Sequence, residues 1–386
     1  MSDRIIDFRM PQSLVMGIGA SRQLPDILQK KGIKKALIVT DQGIVQAGLL
    51  PAIRAPIEAA GVGVAVFDGV EPDPRIEIVA ACVSAFKEAG AGAVVGLGGG
   101  SSIDIAKLVS IVAAHGGQVT DYIGTGRIPG PGAPCFALPT TAGTGSEVTP
   151  IAILSDTNAH LKKGIVSEYL YPVAAIVDPS LMVSAPPSVT AYTGMDALTH
   201  AIEAYTNRFA VPFVDALALE AVRQTGWHLR RAVTCGIDLD ARSGMARAAT
   251  LGGMCLGSVN TAAVHALAYP LGGTFNVPHG LANTVLLPAV MEFNLPANLD
   301  KYAAIAEALG EETRGLSRRE AALRAIRAVK DLSVDVGIPQ GMRHLGIPQD
   351  AIPKMAEGAM EVTRLMNNNP RAITVRDVRL IYENAY

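Results

Sequence analysis

The spacing of hydrophobic residues differs between the two halves of the chain. Before residue 185, short apolar runs alternate with helical stretches; the runs are "KALIVTD" at 35–41, "GVAVFDG" at 63–69, "AGAVVGLGGG" at 91–100, "PCFALPTT" at 134–141 and "AAIVDP" at 174–179. Continuous apolar strands separated by helices are typical of βαβ units, in which both faces of a mainly parallel sheet are covered. We therefore predict an α/β domain over residues 1–184.

After "SAPPSVTAYTG" the apolar positions recur with helical spacing, as in "MDALTHAIEAY" and "VDALALEAVRQTGWHLRRAV". Apolar residues three and four positions apart predict helices with one buried face. Pro186 and Pro187 mark the joint, because the residue before a proline is driven out of the helical conformation. We predict an all-helical domain over residues 185–386.

Composition and charge narrow the classes of partner. The 386 residues are 49% hydrophobic and 18% charged, the net charge is −2, and no run of Lys or Arg is longer than two. This is not the basic surface expected of a nucleic-acid-binding protein. The apolar stretches are broken by Asp, Pro or Gly well short of the roughly 20 residues of a membrane span. The N-terminus "MSDRIIDF" has no apolar signal core. We expect a cytoplasmic protein with neither nucleic acid nor membrane as a partner.

The four cysteines are far apart and form no C-x-x-C pair; they are Cys82, Cys135, Cys235 and Cys255. Such spacing is not typical of a zinc site or a disulfide framework. We expect reduced core residues.

Two glycine-rich loops follow apolar strands of the first half. In "GLGGGSSIDIAK", Gly98, Gly99 and Gly100 allow backbone amides to approach an anion at the start of a helix, which suits a pyrophosphate. The spacing is neither the Rossmann G-x-G-x-x-G nor a P-loop, and tight packing of strand against helix is an alternative. The second loop, "LPTTAGTGSEVTP", adds the hydroxyls of Thr140, Thr141, Thr144 and Ser146. Two such loops together favour a bound nucleotide.

Asp41 ends the "LIVTD" strand. A carboxylate there can accept hydrogen bonds from a ribose diol and would repel a 2′-phosphate, which favours NAD over NADP. The alternative is that Asp41 is the N-cap of the next helix.

The second half contains candidate metal ligands. Asp196 and His200 are four residues apart in a helical context, so they share one face, although a surface ion pair has the same spacing. His265 lies in a helical stretch and His279 follows Pro278 in an expected loop. Between them, Gly272 and Gly273 allow a reversal of the chain that would bring the two rings together. Three histidines and one aspartate suit a divalent first-row metal, whereas two hydrogen-bonded core histidines remain the alternative for His265 and His279.

The stretches "GGGSSIDIAK", "PTTAGTGSEVTP", "GMDALTHAIEAY" and "HALAYPLGGTFNVPHGLANTVLLP" closely resemble the iron-containing (group III) alcohol dehydrogenases, and the resemblance covers nearly the whole chain. It implies an α/β dinucleotide-binding domain followed by a helical metal-binding domain, the architecture shared with dehydroquinate synthase-like enzymes. It implies ferrous iron, or another divalent ion, on Asp196, His200, His265 and His279. It also implies NAD as cofactor, and the residues expected to bind NAD are Asp41, Gly98, Gly99, Gly100, Ser101, Asp104, Thr140, Thr141, Ser146 and Lys163.

The resemblance has one departure. Many relatives have a second histidine four residues after the third metal ligand, and here that residue is Tyr269. With an ordinary pKa near 10, a tyrosine is a poor base at neutral pH, so Tyr269 either donates a hydrogen bond to substrate or forms a wall of the pocket. Lys163 resembles a family lysine near the nicotinamide; its alternative is a solvated turn residue.

The function implied is an NAD-linked, metal-dependent oxidoreductase that interconverts a small primary alcohol, diol or hydroxy acid with its aldehyde or ketone. A maleylacetate-type reductase is disfavoured because all four metal positions are occupied by ligand residues. A dehydroquinate-synthase-like lyase of the same superfamily is the other alternative. Family members often form dimers or larger assemblies, so a homo-oligomer is expected. Asn276 either contacts a second polar group of the substrate or caps a turn.

Overall fold

The computed structural model describes residues 5–156 and 161–386, which form two compact units. The α/β unit comprises Arg9–Thr141 and Gly145–Ala185, and the helical unit comprises residues 5–8, Ala142–Thr144 and Pro186–Tyr386. The main change of unit therefore falls at the proline pair. The short segment Ala142–Thr144 is an exception to the predicted division at residue 185, because it belongs to the helical unit.

The described part of the α/β unit contains nine strands and five α-helices. The strands are β1 Ser13–Met16, β2 Lys35–Asp41, β3 Gly63–Val70, β4 Ala93–Gly98, β5 Gly124–Thr125, β6 Cys135–Pro139, β7 Ile151–Asp156, β8 Leu161–Val166 and β9 Ala174–Val177. The helices are α1 Leu24–Lys30, α2 Gln42–Gln46, α3 Leu49–Ala59, α4 Ile76–Glu88 and α5 Gly100–His115.

Six strands form a wholly parallel sheet in the order β1-β9-β6-β4-β2-β3. The five strands expected from the sequence all belong to it, so the predicted α/β fold with a mainly parallel sheet is confirmed. Successive residues of a strand point to opposite faces, and β2 shows the consequence. Ala36 and Ile38 pack under α1 and α3, whereas Leu37 and Val39 pack under α4 and α5. The sheet is thus covered on both faces.

A second, three-stranded sheet has the order β5-β8-β7, with β7 and β8 antiparallel. The sequence analysis did not predict it. Strand β7 alternates between buried and half-buried residues, and Ala152 and Leu154 contribute to the same core as α4 and α5. A half-buried antiparallel strand of this kind has no continuous apolar run to reveal it.

The helical unit contains ten α-helices among the described residues. They are α6 Pro187–Thr206, α7 Pro212–Thr234, α8 Leu239–Leu256, α9 Ala263–Phe275, α10 His279–Asn294, α11 Leu299–Ala308, α12 Arg318–Asp335, α13 Ile352–Met360, α14 Thr363–Met366 and α15 Val375–Asn384. Helix α6 is the central element: almost every residue from Thr190 onwards is buried, and α7, α8 and α10 pack around it. Polar residues on such a helix are therefore buried as well.

Local sequence explains the starts of two helices. Ser317 and Glu320 form a reciprocal capping box at the start of α12, and Thr374 and Asp377 form another at the start of α15. Each box satisfies amide groups that have no partner inside the helix. The two capping boxes thus stabilise the first turns of α12 and α15.

Cys82, Cys135 and Cys255 are buried free thiols, as expected, but Cys235 is exposed, so the prediction of four core cysteines is wrong at that position. It follows the last turn of α7, where the chain returns to the surface. Within the described residues, we find no helix with the length and apolarity that a membrane crossing needs.

Candidate functional site

Helix α6 carries the first part of a candidate metal centre. Asp196 and His200 lie one turn apart on it, as predicted, and both side chains are almost fully buried. The Nε2 atom of His200 lies 4.0 Å from the Oδ2 atom of Asp196. Because neither side chain is open to solvent, the alternative of a surface ion pair is wrong.

His265 and His279 come from the next two helices of the site. His265 is near the start of α9, and α9 continues unbroken through Gly272 and Gly273. The reversal that the glycine pair would allow therefore does not occur there. His279 is also not a loop residue, because it is the first residue of α10 and Pro278 is its N-cap. The fixed φ of Pro278 suits the entry into a helix.

The reversal occurs at Asn276, which ends α9 in the left-handed conformation with φ 54°. Asparagine adopts this conformation more readily than most residues. The turn-capping alternative for Asn276 is thus confirmed. A second close approach follows at Gly280, where a Cβ atom would lie 2.2 Å from the carbonyl oxygen of Tyr192. Glycine there allows the start of α10 to approach α6 and brings His279 to Asp196.

Three ligand atoms, one each from Asp196, His265 and His279, all lie within 4.8 Å of one another. The Oδ1 atom of Asp196 is 3.7 Å from Nε2 of His265 and 3.9 Å from Nε2 of His279. The ring of His200 stacks on that of His265, with centroids 4.8 Å apart. The side chain of His279 is 29% exposed and that of Asp196 only 3%. The cluster is therefore accessible to solvent at His279.

The charge state of the cluster fits a divalent cation. Burial alone raises the pKa of Asp196, but the neighbouring imidazoles, together with the amide of Asn283, bring that pKa below its ordinary value. Burial lowers the pKa of His200, so its imidazole is neutral at pH 7. A buried carboxylate beside neutral imidazole is the donor chemistry that first-row divalent metals prefer. The residues present therefore fit the metal that the sequence predicts.

Glu203 orients one of the imidazoles. Its Oε2 atom lies 2.6 Å from Nδ1 of His265, and its Oε1 atom accepts a hydrogen bond of 2.6 Å from the backbone N–H of Val264. A carboxylate only accepts, so Nδ1 carries the proton and the lone pair of Nε2 faces the other ligands. Carboxylate partners of this kind are common behind metal-binding histidines. Glu203 thus makes His265 a better ligand.

Asn283 contacts the cluster from α10, the helix that also carries His279. Its Nδ2 atom lies 2.7 Å from Oδ1 of Asp196, 3.1 Å from Nε2 of His265 and 3.2 Å from Nε2 of His279. The sequence analysis missed both Asn283 and Glu203. Their spacing was the available signal: Asn283 is four residues after His279, and Glu203 is three residues after His200, so each shares a helix face with a ligand.

In the α/β unit, the two glycine-rich loops lie side by side. They follow β4 and β6, which are neighbours in the parallel sheet, and the N–H of Thr140 donates to the carbonyl of Gly98. Gly98 has φ +153°, and a Cβ atom there would lie 2.5 Å from the hydroxyl oxygen of Ser102. Only glycine fits this position. The sheet thus brings the two predicted cofactor loops together.

Helix α5 begins directly after this turn, with Gly99 as its N-cap and Gly100 and Ser101 as its first residues. Gly99 has no side chain with which to cap the helix, so the first amides of α5 remain available to an anion. Thr141 lies beside Gly99, because a Cβ atom on the glycine would be 3.4 Å from the Thr141 hydroxyl oxygen. These contacts fit the predicted pyrophosphate position, and the binding itself stays a prediction.

Asp41 has two structural partners. Its Oδ1 atom accepts from the N–H of Ile44, and its Oδ2 atom accepts from the hydroxyl of Ser102, each at 3.1 Å. The N-cap role is confirmed for α2. The ribose contact stays a prediction, and the bond to Ser102 places the carboxylate next to the glycine turn.

Asp104 and Ser146 form part of a buried network around Lys107. The Ser146 hydroxyl donates to Asp104, whose other oxygen accepts from the N–H of Ile153 at 2.9 Å. The Nζ atom of Lys107 donates to Ser146 at 2.9 Å and to both oxygens of Thr149 at 3.0 and 3.2 Å. Asp104 and Ser146 thus hold the second loop in place, and their direct contact with NAD stays a prediction.

Tyr269 lies on α9 one turn after His265 and is almost fully buried. Burial raises the pKa of its hydroxyl, an effect that a hydrogen bond with Arg364 partly offsets. Tyr269 is therefore protonated at neutral pH and can donate a hydrogen bond. Lys163 lies on β8 opposite Leu154 of β7. The alternative of a turn residue is wrong for Lys163, and its nicotinamide contact stays a prediction.

A parallel sheet with glycine loops at the carboxyl ends of its strands, together with a helical unit that holds an Asp and three His, defines a class of metal-dependent dinucleotide-linked enzymes. Two family models match the sequence and identify the particular family. The model "Iron-containing alcohol dehydrogenase" matches residues 11–179, and the model "Fe-containing alcohol dehydrogenase family, C-terminal" matches residues 190–386. The chain belongs to the iron-containing alcohol dehydrogenase family and is an oxidoreductase. The predicted family and class of enzyme are confirmed.

Individual relatives agree with this assignment. The chain is 42% identical to a 1,3-propanediol dehydrogenase of Klebsiella pneumoniae over 100% of both chains. It is 40% identical to an NAD-dependent methanol dehydrogenase of Bacillus methanolicus, over 98% of this chain and 99% of the relative. The crystal structure of a 1,3-propanediol oxidoreductase superposes with a TM-score of 0.97 at 42% identity, covering 99% of this chain and 100% of the other.

Proposed function

We propose that the protein is an iron-dependent, NAD-linked oxidoreductase that interconverts a small primary alcohol, diol or hydroxy acid with the corresponding aldehyde or ketone. The observation that carries the proposal is the cluster of the buried Asp196 and His265 with the partly exposed His279, beside which His200 is stacked. The names of the relatives support it, since they include dehydrogenases of methanol and of 1,3-propanediol. Imidazole with one carboxylate suits ferrous iron.

The protein's residues have separate tasks in this reaction. When bound, the metal supplies Lewis acidity towards an alcohol or carbonyl oxygen, and NAD supplies the hydride acceptor or donor. Glu203 keeps the proton of His265 on Nδ1, away from the ligand atom. The amides at the start of α5 would receive the pyrophosphate, and Asp41 would accept from the ribose. Tyr269 would donate a hydrogen bond, because its raised pKa rules it out as a base at neutral pH.

The first experiment measures NADH formation by metal-stripped protein, before and after anaerobic addition of ferrous iron, with primary alcohols, diols and hydroxy acids. We expect iron to restore activity in the wild type and to fail in His265→Ala. The exposed His344 supplies a matched control, since His344→Ala removes an imidazole away from the cluster. Full activity without metal, or full activity of His265→Ala, would overturn the proposal. Nickel, cobalt and zinc in place of iron test which metal is preferred.

Arg364 offers a way to separate the substrate classes. It contacts the hydroxyl of Tyr269, and its Nη1 atom is buried without a hydrogen-bond partner among the described residues. If this N–H faces the bound substrate, it would favour an acidic group there, and hence a hydroxy acid. A hydrogen bond to a charged group contributes about 1.5–3 kcal/mol, or roughly 10- to 100-fold in kcat/KM.

We therefore expect Arg364→Gln to lower the ratio of kcat/KM for a hydroxy acid to that for a diol of the same length by about 10- to 100-fold. The control Arg376→Gln removes an exposed arginine and should leave the ratio unchanged. An unchanged ratio in Arg364→Gln would favour neutral alcohols and diols instead.

The proposal also includes a homo-oligomer that acts in the cytoplasm. Light scattering coupled to size-exclusion chromatography tests the first point, and cell fractionation tests the second. A monomer in solution would contradict the oligomer without affecting the proposed reaction.

A further inference from the structure

Asn283 has contacts that an ordinary core asparagine does not make. Its side chain is fully buried on α10, and its Nδ2 atom lies within 3.2 Å of a ligand atom from each of Asp196, His265 and His279. An amide nitrogen carries two protons, so three acceptors surround two donors. The amide therefore lies among the very atoms that would bind a metal ion.

The other end of the same amide is unsatisfied. The Oδ1 atom of Asn283 is buried and has no hydrogen-bond partner among the described residues. A buried carbonyl without a partner is costly, and side-chain amides are usually oriented so that both ends are paired. In the present orientation of the Asn283 amide, the nitrogen thus lies next to the three ligand atoms while the oxygen has no hydrogen-bond partner among the described residues.

We propose that Asn283 is a positioning residue of the metal site whose carboxamide has two orientations. Without metal, its N–H groups hold the ligand atoms of Asp196, His265 and His279 together. With a divalent cation bound, the amide turns its oxygen towards the ion. This inference rests on the metal site of the proposed function.

Electrostatics gives the reason for the change. Amide protons are attracted to a carboxylate oxygen and to imidazole lone pairs, but they are repelled by a cation that takes over those lone pairs. An amide oxygen is an acceptable ligand for hard and borderline divalent ions. The rotation would therefore satisfy the oxygen at the moment when the N–H groups lose their acceptors. In the metal-free protein the same amide donates a hydrogen bond to the buried carboxylate of Asp196.

The matched control lies on the same helix. Asn294 is also a buried asparagine of α10, but its amide pairs at both ends with that of Asn369, at 2.8 Å in each direction. Replacing Asn294 by leucine removes a buried amide without touching the metal ligands. It therefore measures how far the loss of any buried asparagine from α10 changes stability and metal affinity.

The experiment measures the dissociation constant for Co²⁺ by competition with a chelator, and the visible spectrum of bound Co²⁺, in the metal-stripped full-length protein. The variants are Asn283→Leu, Asn283→Asp and Asn294→Leu. We expect Asn283→Leu to bind Co²⁺ about 10- to 100-fold more weakly, the range typical of residues that support metal ligands. Asn283→Asp should bind at least as tightly as wild type and alter the spectrum, because it presents an oxygen to the ion. Asn294→Leu should retain both the affinity and the spectrum.

Thermal unfolding supplies the second measurement. Without metal, Asn283→Asp should be less stable than wild type, because its carboxylate replaces a donor that lies 2.7 Å from Asp196. Added Co²⁺ should raise its melting temperature more than that of wild type. Affinity within threefold of wild type in Asn283→Leu, or an unchanged spectrum in Asn283→Asp, would overturn the inference. Absence of Co²⁺ binding in the wild type would instead overturn the metal site of the proposed function.

Discussion

Glu203 gives the sharpest prediction about the site. The variant Glu203→Gln keeps the shape of the side chain but exchanges one acceptor oxygen for an N–H₂ group. In the wild type one oxygen accepts from Val264 and the other lies 2.6 Å from Nδ1 of His265. If the amide faces His265, its N–H favours the tautomer whose proton is on Nε2, the atom that must be free to bind metal.

The expected loss of metal affinity is about 10- to 100-fold, which corresponds to roughly 1.4–2.7 kcal/mol. If the amide oxygen faces His265 instead, the N–H of Val264 loses its acceptor, and one unsatisfied buried group costs about 1–3 kcal/mol. The first orientation therefore weakens metal binding, and the second lowers the stability of the folded protein. Glu203→Ala removes both acceptors, so its metal-free form should be destabilised by about 2–6 kcal/mol, twice the cost of one such group.

Chelator competition measures the metal affinity, and urea unfolding of the metal-stripped protein measures the stability. Glu383→Gln is the control, because Glu383 is an exposed glutamate on α15. The reasoning would be refuted by a Glu203→Gln variant that binds metal within threefold of wild type and unfolds at the same urea concentration. In that case the contact with Glu203 would not determine the proton position on His265.

Three further predictions concern other parts of the chain. Gly98→Ala should weaken NAD binding at least tenfold by equilibrium titration, because the added Cβ atom would lie 2.5 Å from the Ser102 hydroxyl; unchanged affinity would show that the turn can adjust. Lys107→Met should lower the free energy of unfolding by about 3–5 kcal/mol in urea, because it removes a fully buried cation and leaves the Asp104 carboxylate, which is only 13% exposed, without its partner; a loss below 1 kcal/mol would contradict this. Burial lowers the pKa of His228 in the folded state. Below about pH 6.5 the unfolded state therefore binds a proton at this histidine more readily than the folded state does, and the free energy of unfolding should fall as the pH drops. His228→Leu should reduce that slope in urea unfolding between pH 7 and 5, whereas an equal slope would assign the effect to other groups.

Local sequence was sufficient for much of the fold. Each continuous apolar run gave a strand. Strands β2, β4, β6 and β9 are buried on both faces and therefore need an uninterrupted apolar stretch, and the edge strand β3 has such a stretch although it is only half-buried. The sheet of β5, β8 and β7 was missed, because its strands are short or half-buried. The pairing of Asp196 with His200 also followed from sequence, since a four-residue spacing on a helix fixes the shared face. The roles of Tyr269 and Lys163 stay predictions, because no local pattern states what a pocket residue contacts.

The sequence by itself therefore determined the α/β and helical elements, the glycine turns and the residues that bear metal-binding chemistry. Tertiary structure decided how they meet. The continuation of α9 through Gly272 and Gly273, the reversal at Asn276 and the close approach at Gly280 bring His279 to Asp196, which is 83 positions away along the chain. The contacts of Glu203 and Asn283 with these ligands likewise depend on helix packing. Periodicity reports which face of a helix is buried, but only the packing of one helix against another decides which polar groups on those faces touch.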